Sequence, residues 1–267
     1  MKRGLRVLQL CLLAVVLIGL FLIVRQTKGE QTSSQSNTQA AQIAGLPDRA
    51  LPAASTPESA QPSQEAPEAP LSAEETLAQI DLQALREVNP DVVGWIALPG
   101  TEISYPVVQG TDNDYYLAHT WDRENSSCGA IFLDCGASAD FSGFHTLVYG
   151  HRMRNGTMFT ALKDYRSAEF LREHPSVYLV LDSGVYRYDV FSAREADTMG
   201  IVYEKNLEGR EDALLQDCLE GSVIDTGVTP QATDPILTLS TCTGTGYARR
   251  WTVHAVLADS PETPDAG

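Results

Sequence analysis

Hydrophobic and polar positions divide the chain into segments of different period. Val7 to Val24 is an almost unbroken apolar run with Gln9 as its only strongly polar member; as a helix it would be about 27 Å long, close to the hydrocarbon thickness of a bilayer of about 30 Å. From Thr27 to about Pro70 the text turns to Gln, Ser, Thr, Ala, Pro and Glu with hardly an aromatic residue. That composition predicts a disordered tether, because it offers too little apolar area to offset the ordering entropy; its r.m.s. span would be about 35–40 Å. Ser72 to Glu75 then fits a capping box, and Leu77, Ile80, Leu82, Leu85 and Val88 recur at roughly helical spacing as far as Asn89-Pro90. The expected boundaries are an anchor over 1–26, a tether over 27–71, a folded domain over 72–258 and a flexible tail over 259–267.

Beyond Asp91 the pattern shortens into β-rich runs separated by Gly, Pro, Asn and Asp. They cover 92–98, 103–108, 130–133, 145–149, 177–181, 186–193, 236–241 and 251–257. Eight such runs predict a mainly β domain, a barrel or a sandwich. Two helical inserts interrupt it, at 157–173 and 208–219, the second with Leu214, Leu215, Cys218 and Leu219 on one apolar face.

Charge narrows the function. The 267 residues hold 19 Lys and Arg against 35 Asp and Glu, a net charge of -16. No basic cluster is available to neutralise a phosphate backbone, so nucleic-acid binding is excluded. Lys2, Arg3 and Arg6 precede the apolar run and Arg25 and Lys28 follow it. With the amino terminus added, the positive-inside rule places the N-terminus in the cytoplasm and everything after residue 25 outside. The run is longer than a signal-peptide core of about 7–15 residues, and no Ala-x-Ala pattern follows it. The expectation is therefore an uncleaved single-pass anchor in the cell membrane.

Five cysteines are too scattered for a disulfide scaffold, and the absence of Cys-x-x-Cys or of histidines at helical metal spacing predicts neither a metal nor another cofactor. Cys11 lies in the apolar run and Cys218 among leucines, which suits a small buried hydrophobe. Cys128 and Cys135 flank one strand candidate; a free or packed role is at least as well founded as a disulfide. Cys242 differs. It ends the run Ile236 to Thr241 before a glycine-containing turn, and Arg250 opens the next strand, so hairpin geometry returns a permanent cation to the thiol. His151 follows another strand and a glycine. A free thiol is only a few per cent ionised at neutral pH, so a neighbouring imidazolium or guanidinium is needed to raise that fraction. Cys242, His151 and Arg250 form a candidate nucleophile, acid/base and oxyanion clamp. Among the other histidines, His119 reads as a surface group, His145 has no assigned face, His174 before Pro175 reads as a helix terminator, and His254 shares the face of Arg250.

Thr238-Leu239-Ser240-Thr241-Cys242 resembles the signature of sortases, the cysteine transpeptidases of Gram-positive cell surfaces, and its central Ser resembles class B. Residues 89–96, 105–110, 112–117 and 129–134, Tyr149-Gly150-His151-Arg152-Met153, and Met158-Phe159 with Leu162 are similar to successive parts of class B domains, so the resemblance covers about residues 77–258. It implies an eight-stranded sortase-type β-barrel with an N-terminal helical extension, His151 as catalytic histidine and Cys242 as nucleophile. For the arginine, Arg249 and Arg250 compete; strand alternation and the following Trp-Thr-Val-His-Ala run select Arg250. The loop after Cys242 is shorter than in some relatives, so its substrate contacts do not carry over. A second membrane span and an Asp-Pro-aromatic lid, usual in pilus-building class C, are not seen, which favours class B.

The implied reaction is cleavage of a sorting motif in secreted surface proteins and transfer of the Thr acyl group to a peptidoglycan amine. A pilin lysine as acceptor keeps the same chemistry. A papain-like hydrolase fits poorly, because here the histidine precedes the cysteine. A membrane-tethered binding module without catalysis is the non-enzymatic alternative.

Overall fold

The computed structural model describes residues 2–46, 71–244 and 246–259. Eight strands close into a barrel, in the order β1-β2-β3-β4-β7-β8-β6-β5. They are β1 (Val92–Ala97), β2 (Ser104–Val108), β3 (Ile131–Leu133), β4 (His145–Tyr149), β5 (Ser176–Leu181), β6 (Gly184–Asp197), β7 (Ile236–Cys242) and β8 (Arg249–Asp259). Two neighbouring pairs are parallel, β2 with β3 and β4 with β7; the other pairs are antiparallel. The expected strand runs are found with small changes of end, the largest being β6, which runs on to Asp197 beside β8.

Alternation sorts each strand between an interior and a covered exterior. Leu237 and Leu239 of β7 and Trp251, Val253 and Ala255 of β8 point inward and are buried with Ile96, Val107, Leu133, Val148 and Leu179. Trp95 and Ala97 of β1 point outward, under a helical layer. That layer is α2 (Ala73–Leu77), α3 (Leu82–Val88) and the end of α1 (Lys2–Ile43). On the opposite side α5 (Glu211–Glu220) lays Leu214, Leu215 and Cys218 over Phe191, Ile236 and Val256. Burial pushes the Cys218 thiol up to about 12, as suits a packing residue. Cys128 and Cys135 are unpaired thiols.

Three expectations about helices change. The capping box forms as expected, Ser72 accepting from the Glu75 amide and the Glu75 carboxylate from the Ser72 amide. The helix it starts stops at Leu77, however, and α3 restarts with Asp81 accepting from the Ala84 amide. The insert expected at 157–173 is a 3-10 run, Phe159–Arg166, followed by α4 (Ala168–Glu173), which Ser167 caps and His174 closes. The largest correction concerns the tether. Helix α1 continues from the apolar run through Ile43, so residues 27–43 are helical where composition predicts disorder. Gly29, Ser33, Ser36, Ala40 and Ala44 line one buried face of it. Small polar residues at this spacing read as linker in composition, yet they let a backbone approach the barrel closely. The remaining tether residues, 47–70, and the tail beyond Asp259 lie outside the described residues. The apolar half of α1 is exposed, Leu12 and Phe21 each at 66%, and this helix is long and apolar enough to cross a membrane.

Replacing Leu239 with Ala should cost about 2–5 kcal/mol, because the barrel interior cannot collapse around the lost side chain. Leu219→Ala, on the exposed side of α5, should cost about 1 kcal/mol or less. Urea unfolding in detergent solution, with the midpoint followed by tryptophan fluorescence, separates the two; equal shifts would contradict this assignment of the core.

Candidate active site

The predicted trio meets at one rim of the barrel because of strand register. In the parallel pair of β4 and β7, Tyr149 stands beside Ser240, and the Gly150 amide donates to the Ser240 carbonyl at 3.1 Å. Two residues further along each strand come His151 and Cys242, near enough that each shifts the titration of the other. In the antiparallel pair of β7 and β8, Cys242 stands directly opposite Arg250. Residues separated by up to ninety-nine positions in the chain thus become neighbours through two pairings.

His151 Nε2 donates to the Leu117 carbonyl at 2.9 Å. This bond holds the ring by one of its two nitrogens, so a backbone carbonyl sets its orientation. Leu117 ends a 3-10 turn, Tyr115–Leu117. The backbone that returns past this turn does so at Gly129, with φ +60, where a Cβ would lie 3.0 Å from the Leu117 oxygen and overlap that of Tyr116. Only glycine combines that conformation with that clearance. Arg250 Nη1 donates to the carbonyls of Tyr247 and Arg249, at 2.9 and 3.1 Å, which folds its side chain along the β7–β8 turn.

The electrostatics reinforce the pair. The hydrogen bond from His151 holds the Cys242 thiol below its ordinary value, against partial burial; the charges on Arg250 and, further down, Arg152 add to it. The hydrogen bond to Cys242 holds His151 above its ordinary value, helped by the Leu117 carbonyl and opposed by burial and the Arg250 charge. One group lowered and its partner raised shift the balance toward a thiolate and an imidazolium together. The arrangement can therefore offer a sulfur nucleophile, a proton donor and a guanidinium within one rim.

Several contributors escaped the sequence reading. Leu117 acts through a carbonyl that any residue carries, so only the fold reveals it. Arg152, next to His151, lays its guanidinium against Gly244; its adjacency was legible but not its direction. Ser240 Oγ and Tyr203 OH are hydrogen bonded at 2.8 Å behind the site, and burial raises Tyr203 to about 12. Arg249 is exposed. His119 stacks on Tyr115 at the surface, with ring centroids 4.0 Å apart. His254, buried, and His145, half-buried, lie behind β7 and share Thr238 Oγ1 at 2.8 Å each. Among the described residues no group of His, Cys, Asp and Glu could hold a metal ion.

Known proteins similar to this chain belong to one family. The Sortase domain family model matches residues 96–258. Sortase B of Listeria monocytogenes is 37% identical over 166 residues, covering 61% of this chain and 67% of that protein. Sortase B of Staphylococcus aureus is 30% identical over 244 residues, covering 91% of each. Among solved structures, the Staphylococcus aureus sortase B–substrate complex superposes with a TM-score of 0.63 at 32% identity, covering 67% of this chain and 84% of that one. Sortase B of Bacillus anthracis in complex with AAEK1 gives 0.68 at 29% identity, covering 88% and 100%.

Removal of the imidazole tests the pair directly. In His151→Ala, alkylation of Cys242 by iodoacetamide at pH 7 should slow about tenfold, and its pH midpoint should climb toward the ordinary thiol value of about 8.5. Peptide-resolved mass spectrometry measures this beside the other four thiols. An unchanged midpoint would mean that the imidazole does not govern the sulfur.

Proposed function

The chain belongs to the sortase family of transpeptidases, as a class B member, and from that premise we propose that Cys242, His151 and Arg250 carry out acyl transfer from a sorting motif to a cell-wall amine. The observation that carries the reading is the strand register that ends β4 and β7 side by side, with His151 and Cys242 two residues past the paired Tyr149 and Ser240 and with Arg250 opposite Cys242. A peptide as substrate is supported by the solved sortase B–substrate complex of Staphylococcus aureus, which shares this fold.

The Cys242 thiolate attacks the Thr carbonyl carbon of the motif, forming a C–S bond and a tetrahedral oxyanion. Arg250 faces that developing charge with the planar fork of its guanidinium. Collapse breaks the C–N bond, and the His151 imidazolium gives its proton to the departing amine. A thioacyl enzyme remains, with a neutral imidazole. A peptidoglycan stem-peptide amine then attacks the thioester carbon, passes its proton to His151, and the C–S bond breaks to restore thiolate and imidazolium.

This cycle needs thiolate and imidazolium together. Because the Cys242 value is lowered and that of His151 raised, the share of molecules holding both charges at once is larger than for the free groups, whose thiol titrates above the imidazole. Activity falls at low pH as the thiolate is protonated and at high pH as the imidazolium is lost, so the profile is bell-shaped.

Lys2, Arg3 and Arg6 ahead of the apolar helix support a cytoplasmic N-terminus and a catalytic domain outside the cell membrane. Continuity of α1 from the exposed apolar half into the docked half supports a barrel close to the headgroups, rather than one at the end of a long tether.

Cys242→Ala should reduce cleavage of a sorting-motif peptide by at least about a thousandfold with the fold intact, and Arg250→Lys by about a hundredfold, because a point charge cannot replace the planar fork. Mass spectrometry of products, with and without an added peptidoglycan-type amine, reads both cleavage and transfer. Turnover retained in Cys242→Ala would overturn the assignment, and product containing only hydrolysed motif would overturn the transfer step.

A further inference from the structure

The docked half of α1 touches the two segments that flank His151. On the first, the buried Trp121 donates from Nε1 to the Ser36 carbonyl at 2.8 Å, and Ser126 Oγ donates to the Gly29 carbonyl at 2.8 Å. Ser36 Oγ adds a bond to Asp122 Oδ1 at 2.7 Å. The Ser126 amide donates in turn to the Ala118 carbonyl at 2.9 Å, one residue beyond Leu117, whose own carbonyl receives His151 Nε2. On the second segment, Asn37 Nδ2 reaches Met158 Sδ at 3.9 Å; the next amide, of Phe159, donates to the His151 carbonyl at 2.9 Å. The approach is close throughout. A Cβ at Gly29 would overlap Ser127 Oγ and lie 3.0 Å from its backbone nitrogen.

Two polar chains of two or three bonds each therefore run from α1 to the ring and to the backbone of one histidine. We infer that α1, through Gly29, Ser36 and Asn37, is a positioning element for His151, so that the helix emerging from the apolar anchor sets the orientation of the acid/base group. The loop 118–129 has only the short strand β3 beyond it and the 3-10 turn before it. Its other hold is on the α3–β1 corner, where Asn89 bonds Tyr116 OH at 2.9 Å and the Trp121 carbonyl, and Arg123 pairs with Asp91 at 2.9 Å. That corner fixes Tyr116 and Trp121. Ser126 and the strand-like return past Ala118 lean on α1 instead. The inference rests on Cys242 and His151 being the reacting pair.

The test uses the full chain in lipid nanodiscs and reads Cys242 alkylation by iodoacetamide against pH, with transpeptidation as a separate measurement. Trp121→Phe keeps the buried ring and removes the donor to Ser36; Gly29→Leu wedges the helix away from Ser127 without altering the barrel. Each should slow Cys242 alkylation at pH 7 about three- to tenfold, as expected for the loss of one orienting hydrogen bond, and raise its pH midpoint. Combined with His151→Ala, neither should add a further effect, since the imidazole through which they act is gone. A wild-type rate and midpoint in both variants, whatever their melting temperatures, would overturn the inference, as would a slowing that persists without His151. Should Trp121→Phe fail to fold, Gly29→Leu alone decides. Alkylation insensitive to His151→Ala would instead sink the reacting pair itself, a failure distinct from that of the brace.

Discussion

Two parallel strands, β4 and β7, impose the constraint from which the site follows. Parallel neighbours cannot be joined by a tight turn, so the chain must leave β4 and return to β7 by a long route. It does so through the 3-10 run, α4, β5, β6 and α5. The return places Tyr149 against Ser240, and the two strands end side by side at the same rim. A histidine two residues past one position and a cysteine two past the other must then be adjacent. The hairpin of β7 and β8 adds Arg250 opposite the sulfur. None of the three groups needs a flexible loop to find the others; each sits at the end of a hydrogen-bonded ladder, which limits its motion to that of the barrel.

Adjacency alone does not make a nucleophile, and the surroundings explain the polarity of the pair. Burial works against charge on both groups, raising the thiol and lowering the imidazole. The mutual hydrogen bond outweighs it in each case, and the guanidinium opposite the sulfur tips the balance at Cys242 further. The same guanidinium opposes the charge on His151. The Leu117 carbonyl offsets that opposition by accepting from Nε2. A chain with an overall charge of -16 thus keeps a locally cationic rim around its sulfur, with Arg152 and Arg250 on two sides.

Much of this was legible in the residues. The strand runs could be read because alternation and turn residues report local geometry, and Cys242, His151 and Arg250 could be placed at strand ends for the same reason. The resemblance to sortases supplied the closure into a barrel, which no local pattern carries. Two kinds of feature were not legible. Backbone acceptors such as the Leu117 carbonyl leave no trace in residue identity. Residues 27–43 misled because Gly, Ser, Ala and Gln are poor in apolar area and read as linker, whereas Gly29, Ser33, Ser36, Ala40 and Ala44 pack by close backbone approach and by hydrogen bonds from Trp121 and Ser126. Composition measures how much surface a segment can bury, not how closely its backbone can come to another.

The outer face of β7 shows why the register that builds the site is hard to disturb. Leu237 and Leu239 fill the barrel interior, while Thr238 and Ser240 point the other way and are also buried. Burial of hydroxyls on an apolar strand is costly unless every one is paired. Here Thr238 Oγ1 bridges His145 Nε2 and His254 Nδ1, His254 Nε2 meets Thr252 Oγ1 at 2.9 Å, and Ser240 meets Tyr203. Desolvation keeps both imidazoles uncharged, His145 near 4 and His254 well below its ordinary value, so they serve as neutral hydrogen-bonding links. A slip of β7 by one residue would turn Leu237 and Leu239 into this polar seam and Thr238 and Ser240 into the apolar interior, losing both sets of partners at once. The seam therefore penalises a one-residue slip, the slip that would turn Cys242 away from His151.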